Sequence, residues 1–327
     1  MRASALAARI EDGVDGMADS CDYKLFGLNL RSEWALPELP LFRSEQAPDV
    51  FIFRGAIPST LPRSSGLHLT DDGMLLNIED VARYWVDGGR TISVEAVADA
   101  RDENVRLFLL GSAMGILLHQ RGMLPLHANA VALDGYAIAF IGPSGAGKST
   151  LASWFHDHGH RVIADDVCVV RFDDRGRPLA TAGIPRLRLW KDALIASGRD
   201  PDAHRLSYAG DDSYEKYDVP LQRDGEVPDL PLVAIYLLGR GNRFEIVPLA
   251  GVEAADTLFA NTYRGAFVQA TGSPRGHWDA CLRLLSATPV FRLARSWDLT
   301  RISDETAYVI AHARLMIAAH QRDCDET

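Results

Sequence analysis

Cysteine is scarce in this 327-residue chain: Cys21, Cys168, Cys281 and Cys324 lie far apart and form no C-x-x-C pair. That excludes a dense disulfide framework and fits reduced thiols in a cytosolic protein. Positive charge is not in excess either. The 34 Lys and Arg stand against 44 Asp and Glu, a net charge of −10, and no basic stripe interrupts the acidic balance. Nucleic acid is therefore excluded as a partner, because a phosphate backbone demands a basic face. No apolar run approaches the roughly twenty residues that span a bilayer. The most apolar expected helix covers about 105–118. The first residues, Met1-Arg2-Ala3-Ser4-Ala5-Leu6-Ala7-Ala8-Arg9, are too charged for a signal peptide. Repeats and low-complexity tracts are missing as well. What remains is a cytoplasmic chain with no membrane span, 47% hydrophobic and 24% charged, of ordinary globular composition. Its length suits one large domain or two of ordinary size.

Against these absences stands one dense motif. Gly142-Pro143-Ser144-Gly145-Ala146-Gly147-Lys148-Ser149-Thr150 fits the phosphate-binding pattern G-x-x-x-x-G-K-[ST]. Tyr136 to Ile141 before it reads as a buried strand, and Leu151 to His156 after it as the first turns of a helix. That context is what the motif needs: glycines let backbone N–H groups wrap a phosphate at the positive end of a helix. Lys148 is expected to reach the β- and γ-phosphates of a nucleoside triphosphate, and Ser149 to take a place on Mg²⁺.

Residues 1–20 read as a tail, and 21–100 as a small antiparallel β-rich accessory module. In that module Val50–Phe53, Met74–Ile78 and Thr91–Val94 are separated by turn signals at Asp71-Asp72-Gly73 and Asp87-Gly88-Gly89. Residues 101–327 form the expected catalytic domain. It opens with a helix, Asn104 to Arg121, apolar round most of its circumference and so placed as buried between the two halves. Leu124 to Leu133 leads into a strand, and Asp134-Gly135 turns it into the strand of the glycine loop. A hairpin there departs from an ordinary doubly wound fold, where a helix would intervene. Arg161 to Val170 reads as the next strand and Ile184 to Trp190 as an extended piece. Residues 198–230 read as a long loop or lid, and Leu232–Leu238 as a buried strand. Helices near 251–261, 278–286 and 303–321 and a strand at 289–293 complete the expectation.

Asp165 and Asp166 follow Lys148 by seventeen and eighteen residues. In P-loop proteins a carboxylate at that place meets Mg²⁺, and two adjacent acids offer a division of labour. Asp165 is read as the general base and Asp166 as the metal or positioning residue, with the order open. Only one can face the phosphates unless the strand ends or bends there. His127 lies at the start of the strand before the loop strand, where it could polarise a nucleophile or orient a carboxylate. Arg186 and Arg188 project to one face of their segment, opposite Leu187 and Leu189, and could neutralise phosphoryl charge or bind an acidic substrate. An amphipathic edge strand with a charged wet face explains that alternation equally well. Lys216 reads as a solvated loop cation, and Arg264 could contact substrate or phosphate but reads more simply as a solvated one. His156, His158 and His160 read as an exposed helix end rather than a metal site.

Taken together, Leu126-His127-Ala128, the hairpin, the loop and Gly159-His160-Arg161-Val162-Ile163-Ala164-Asp165-Asp166-Val167 resemble the catalytic domain of HPr kinase/phosphorylase. The resemblance is dense over about 124–172. It implies an α/β fold of the HPr kinase and phosphoenolpyruvate carboxykinase type with a mixed sheet, and transfer of phosphate from ATP with Mg²⁺ to a protein serine. A homo-oligomer is plausible on the same ground. The segment Gly183 to Trp190 departs from the family, with no acid between Asp174 and Asp192. The second metal-binding carboxylate and the phosphorylase activity of the family have no counterpart there. Tyr23–Leu28, Arg121–Ala128 and Pro185–Trp190 look like the HPr-kinase-like proteins of ribosomal peptide pathways, notably lasso peptides. That likeness implies a precursor peptide as the phosphorylated partner. Two other readings fit the same loop: a regulatory module that binds nucleotide without transfer, and a small-molecule kinase.

Overall fold

The computed structural model describes residues 20–70, 73–209, 215–222, 227–271, 273–296 and 298–325. The expected tail up to residue 19 and the Asp71-Asp72 part of one turn lie outside them. The chain divides into two compact units, Met1–Arg121 and Gly122–Thr327. The apolar helix expected to open the catalytic domain thus belongs to the N-terminal unit.

That unit is a seven-stranded sheet: β1 (Cys21–Leu25), β2 (Leu28–Ser32), β3 (Val50–Arg54), β4 (Gly66–Thr70), β5 (Gly73–Ile78), β6 (Ala82–Asp87) and β7 (Thr91–Ala96). Its order is β1-β2-β3-β7-β6-β5-β4. The sheet is mixed rather than antiparallel, because β3 runs parallel to both β2 and β7. The connection over residues 33–49 is long enough to bring the chain back in the same direction, which a tight turn cannot do. The inner strands are apolar on both faces, and Ile52, Leu75, Tyr84, Val86 and Ile92 are fully buried. A helical segment packs on β6 and β7. It runs as α1 (Asp102–Phe108), a π-helical turn over Leu109–Ala113, and α2 (Met114–Gln120). The Tyr84 hydroxyl donates to the Val105 carbonyl at 2.8 Å, and Gln120 Nε2 to the Val86 carbonyl at 3.1 Å.

The C-terminal unit is built on a nine-stranded mixed sheet. Its strands are β8 (Leu124–Leu126), β9 (Ala128–Leu133), β10 (Tyr136–Ile141), β11 (Val162–Ala164), β12 (Cys168–Phe172) and β13 (Pro178–Ala180), joined later in the chain by three more. Between them, α3 (Lys148–Asp157) follows the glycine loop. A separate three-stranded sheet holds β14 (Arg186–Trp190), β15 (Arg205–Leu206) and β16 (Lys216–Pro220), with α4 (Lys191–Ala196) directly after β14. The main sheet is completed by β17 (Leu230–Arg240), β18 (Glu245–Leu249) and β19 (Val290–Arg295). The remaining helices are α5 (Gly251–Ala260), α6 (Ala266–Ala270), α7 (Pro274–Ala287) and α8 (Ile302–Asp325).

The β9–β10 hairpin turns through Asp134 and Gly135, both at positive φ, the backbone that a two-residue primed turn requires. On its other side β10 pairs in parallel with β17, and β17 with β19. Alternation along β10 divides the core. Ile138 and Phe140 join Leu151 and Phe155 of α3 and Val309 and Ala313 of α8. Ala137, Ala139 and Ile141 join Ala254 and Leu258 of α5 and Leu284 of α7. The sheet therefore lies between two helical layers, with the loop after β10 at the carboxyl end of the parallel strands, where open α/β sheets present their ligand sites.

Two further expectations need correction. The strand predicted over 161–170 is broken: β11 ends at Ala164 and β12 begins at Cys168. The break falls on Asp165 and Asp166, and Asp166 takes a left-handed backbone with φ 72°. The predicted lid over 198–230 is not all loop, since β15 and β16 pair with each other and β16 with β14. Charged, glycine-rich flanks hide a strand whose alternation covers only five residues. Residues 210–214 and 223–226 lie outside the described residues.

Candidate active site

The glycine loop is shaped by two positions that exclude a side chain. Gly142 has φ 142°, and a Cβ there would stand 3.1 Å from the Leu238 carbonyl oxygen. Its N–H donates to Asn261 Oδ1 at 2.8 Å, which ties the loop to the end of α5. Gly147 has φ 86°, and its Cβ would come within 3.3 Å of Arg295 Nη2. Left-handed backbone at both positions favours glycine. Lys148 starts α3 and is buried. Its ammonium donates to the carbonyls of Gly142 at 2.6 Å and Pro143 at 3.1 Å. Burial lowers the Lys148 pKa to about 8, against the opposing pull of Asp166 and Asp165.

The break in the β11–β12 strand turns the two aspartates in different directions. Asp165 is buried and its oxygens are occupied. Oδ1 accepts from Ser149 Oγ at 3.1 Å and from Asn129 Nδ2, while Oδ2 accepts from the Arg188 backbone N–H at 2.5 Å. Burial, then the neighbouring Asp166 charge, raises its pKa to about 6. Asp166 meets Arg188 Nη1 at 3.1 Å through Oδ2 and His127 Nδ1 at 3.5 Å through Oδ1. Burial alone would raise its pKa, but Arg188, His127, Lys216 and Arg186 together hold it below the ordinary carboxylate range.

His127 sits at the interruption between β8 and β9, with its backbone N–H on the Asn261 carbonyl at 2.7 Å. Its Nδ1 lies 3.0 Å from the Asp166 carbonyl oxygen. A carbonyl only accepts, so Nδ1 carries the hydrogen and Nε2 carries the lone pair of the neutral ring. Burial and the Lys148 charge lower the His127 pKa and favour that neutral form.

Arg186 and Arg188 lie on one face of β14, while Leu187 and Leu189 enter the core. Both guanidiniums are committed to acids. Arg186 Nη1 meets Asp218 Oδ2 at 2.8 Å, and Arg188 spans Asp166 and, at 3.7 Å, Asp218 Oδ1. An acid absent from the local sequence is thus supplied by the paired strand β16.

One cleft gathers these parts. Ser144, Gly145, Gly147, Lys148, Ser149 and Thr150 line one wall. His127, Asn129 and Asp166 form a second, and Trp190, Ala193 and Lys216 a third. Of the residues expected in the site, Gly142, Pro143, Ala146, Asp165, Arg186 and Arg188 are not part of this lining.

Four contributors escaped the sequence reading. Asn129 is a polar residue in an apolar run, two positions after His127, and that was the available signal. Its Nδ2 holds Asp165, while its Oδ1 is buried with no partner. Asn261 and Asp218 gave no local signal. Lys216, expected in a solvated loop, is on β16 opposite Trp190. Arg264 has φ 52° and lies over the Tyr263 ring at 5.7 Å.

The oxygens suit a hard cation such as Mg²⁺. Ser149 Oγ and an Asp165 carboxylate lie together, and the orphaned Asn129 Oδ1 beside them is an acceptor for a metal-bound water. Of the two residues expected to hold the metal, Ser149 bonds through its hydroxyl to Asp165, and Asp166 pairs with Arg188 and His127. Among the described residues no cluster of three or more His, Cys, Asp or Glu could hold a metal. None of the four cysteines is paired. No helix among the described residues is long and apolar enough to cross a membrane.

No protein-family model matches the chain, and no curated protein matches it. Among solved structures it is similar to the HPr(Ser) kinase/phosphatase from Coxiella burnetii, with 12% identity and a TM-score of 0.32 over 59% of this chain and 98% of that one.

Proposed function

We propose that the protein is an ATP- and Mg²⁺-dependent kinase that phosphorylates a serine hydroxyl on a peptide or protein, with a ribosomally made precursor peptide of the lasso type as the acceptor. The observation that carries this reading is the convergence of the Gly142–Ser149 loop and the His127–Asp166 pair on one cleft, with Asp165 bonded to Ser149. The acceptor class rests on the sequence motifs at residues 23–28, 121–128 and 185–190.

In this reading the loop N–H groups and Lys148 hold the phosphates at the start of α3. Bound Mg²⁺ would neutralise phosphate charge, held by Ser149 on the cleft with Asp165 behind it, bonded to the Ser149 hydroxyl. Asp165 does not line the cleft, which makes it a poor partner for an incoming hydroxyl. Asp166 lines the cleft and stays ionised at neutral pH, so it takes the hydroxyl proton, beside the neutral Nε2 of His127. The roles first read from the sequence are therefore exchanged between the two aspartates. Most of the acceleration comes from positioning and charge neutralisation. The test is intact-mass analysis of candidate peptides incubated with the protein, ATP and Mg²⁺. A gain of one phosphate, absent with Lys148→Ala, supports the kinase. ATP bound with no phosphorylated peptide contradicts it.

A further inference from the structure

Lys216 is a cation of the cleft that the mechanism above leaves unused. It lies directly across the β14–β16 pairing from Trp190, and its ammonium stands 5.3 Å from the centre of that ring. Trp190 is 38% exposed, and both residues line the same cleft as the glycine loop. Among the described residues Lys216 makes no ion pair, whereas Arg186 and Arg188 are both bound to carboxylates. Its charge is felt at Lys148, Asp165, Asp166 and His127, so it reaches the centre of the site. Two ammoniums facing one cleft repel. The aromatic face fixes the position of one of them, yet it does not cancel the charge. An anion between Lys148 and Lys216 would satisfy both.

We infer that Lys216 is the second cation of the phosphoryl site: it contacts the terminal phosphate of the bound triphosphate from the wall opposite Lys148, with the Trp190 ring holding its ammonium in place. This rests on the nucleotide reading proposed above. The role first considered for Arg186 and Arg188, neutralising the transferring phosphoryl, passes to Lys216, and the arginines become the groups that orient Asp166 and Asp218. A cation aimed at the terminal phosphate distinguishes ATP from ADP, which a residue gripping the inner phosphates does not.

The experiment is calorimetric titration of the full chain with ADP and with ATP, both with Mg²⁺, for the wild type, Lys216→Met, Lys216→Gln and Lys216→Arg. The wild type should bind ATP about tenfold more tightly than ADP, the scale of one charge-assisted hydrogen bond. In Lys216→Met and Lys216→Gln that ratio should fall to about twofold, with ADP affinity within about twofold of the wild type. Lys216→Arg should restore most of the ratio. Trp190→Leu should lower it by a smaller factor. An unchanged ratio in both neutral variants would overturn the inference while leaving the nucleotide reading intact. Equal losses for ADP and ATP would also overturn it, because a terminal-phosphate contact cannot weaken ADP. A wild type that binds neither nucleotide would overturn the underlying reading, and the role of Lys216 with it.

Discussion

The two units bury charge in opposite ways. In the N-terminal sheet the buried Arg83 faces Glu95 across the β6–β7 pairing, with Nη1 and Oε2 at 2.7 Å, so the charge is cancelled where it lies. Tyr23 and Tyr84 there are raised chiefly by burial, and Arg31 by its hydrogen bond to Asp22. In the C-terminal unit Lys148, Asp165, Asp166 and His127 crowd one cleft, and all four are displaced from their ordinary values. Charges buried in matched pairs serve the fold. Charges buried together and incompletely matched mark the place where a ligand completes the match.

Substitutions can break or sharpen this contrast. The largest effect is expected from Lys148→Ala, which should remove both nucleotide binding and transfer. Asp166→Asn should lower phosphoryl transfer at least about a hundredfold, with nucleotide affinity within about threefold, so turnover and calorimetry together separate chemistry from binding. Asp165→Asn should lose the Mg²⁺-dependent part of nucleotide affinity while the fold persists. The sign for stability follows from its raised pKa. A folded value of about 6 lies above the unfolded value near 3.9, so ionised Asp165 weakens the fold at pH 7. That weakening fades as pH falls below about 6. Thermal melts at pH 7 should therefore show Asp165→Asn at least as stable as the wild type.

The same groups set a pH window for the unliganded protein. Affinity for Mg²⁺-nucleotide should rise as pH increases through about 6, where Asp165 ionises. It should fall above about 8, where Lys148 loses its proton. Binding measured from pH 5 to 9.5 checks both limbs. The smallest effect belongs to the matched charge of the other unit. Glu95→Gln should cost about 1 kcal/mol in denaturant unfolding and leave nucleotide affinity unchanged. A change in affinity there would erase the distinction between the two units.

Much of this was legible in the chain because its signals are local. The glycine loop, the β9–β10 hairpin at Asp134-Gly135 and the two aspartates each declare themselves within a few residues. What stayed hidden depends on contacts between distant segments. Asp165 and Asp166 look interchangeable in sequence, and only the left-handed turn at Asp166 sends one inward and the other to the cleft. Asn261, 119 residues from Gly142, holds the loop through one hydrogen bond. Lys216 reads as a loop cation because its strand is short and flanked by charged residues. The parallel placement of β3 followed from a long connection whose path the alternation of apolar residues does not encode.

The central claim is that the aspartate facing the cleft, and not its buried neighbour, takes the acceptor proton. Its most direct test is single-turnover phosphoryl transfer to a peptide acceptor, with saturating ATP and Mg²⁺, by Asp166→Asn and Asp165→Asn. The account predicts that Asp166→Asn stays nearly inactive at any Mg²⁺ concentration, while Asp165→Asn recovers activity as Mg²⁺ is raised. Transfer by Asp166→Asn at close to the wild-type rate would contradict it.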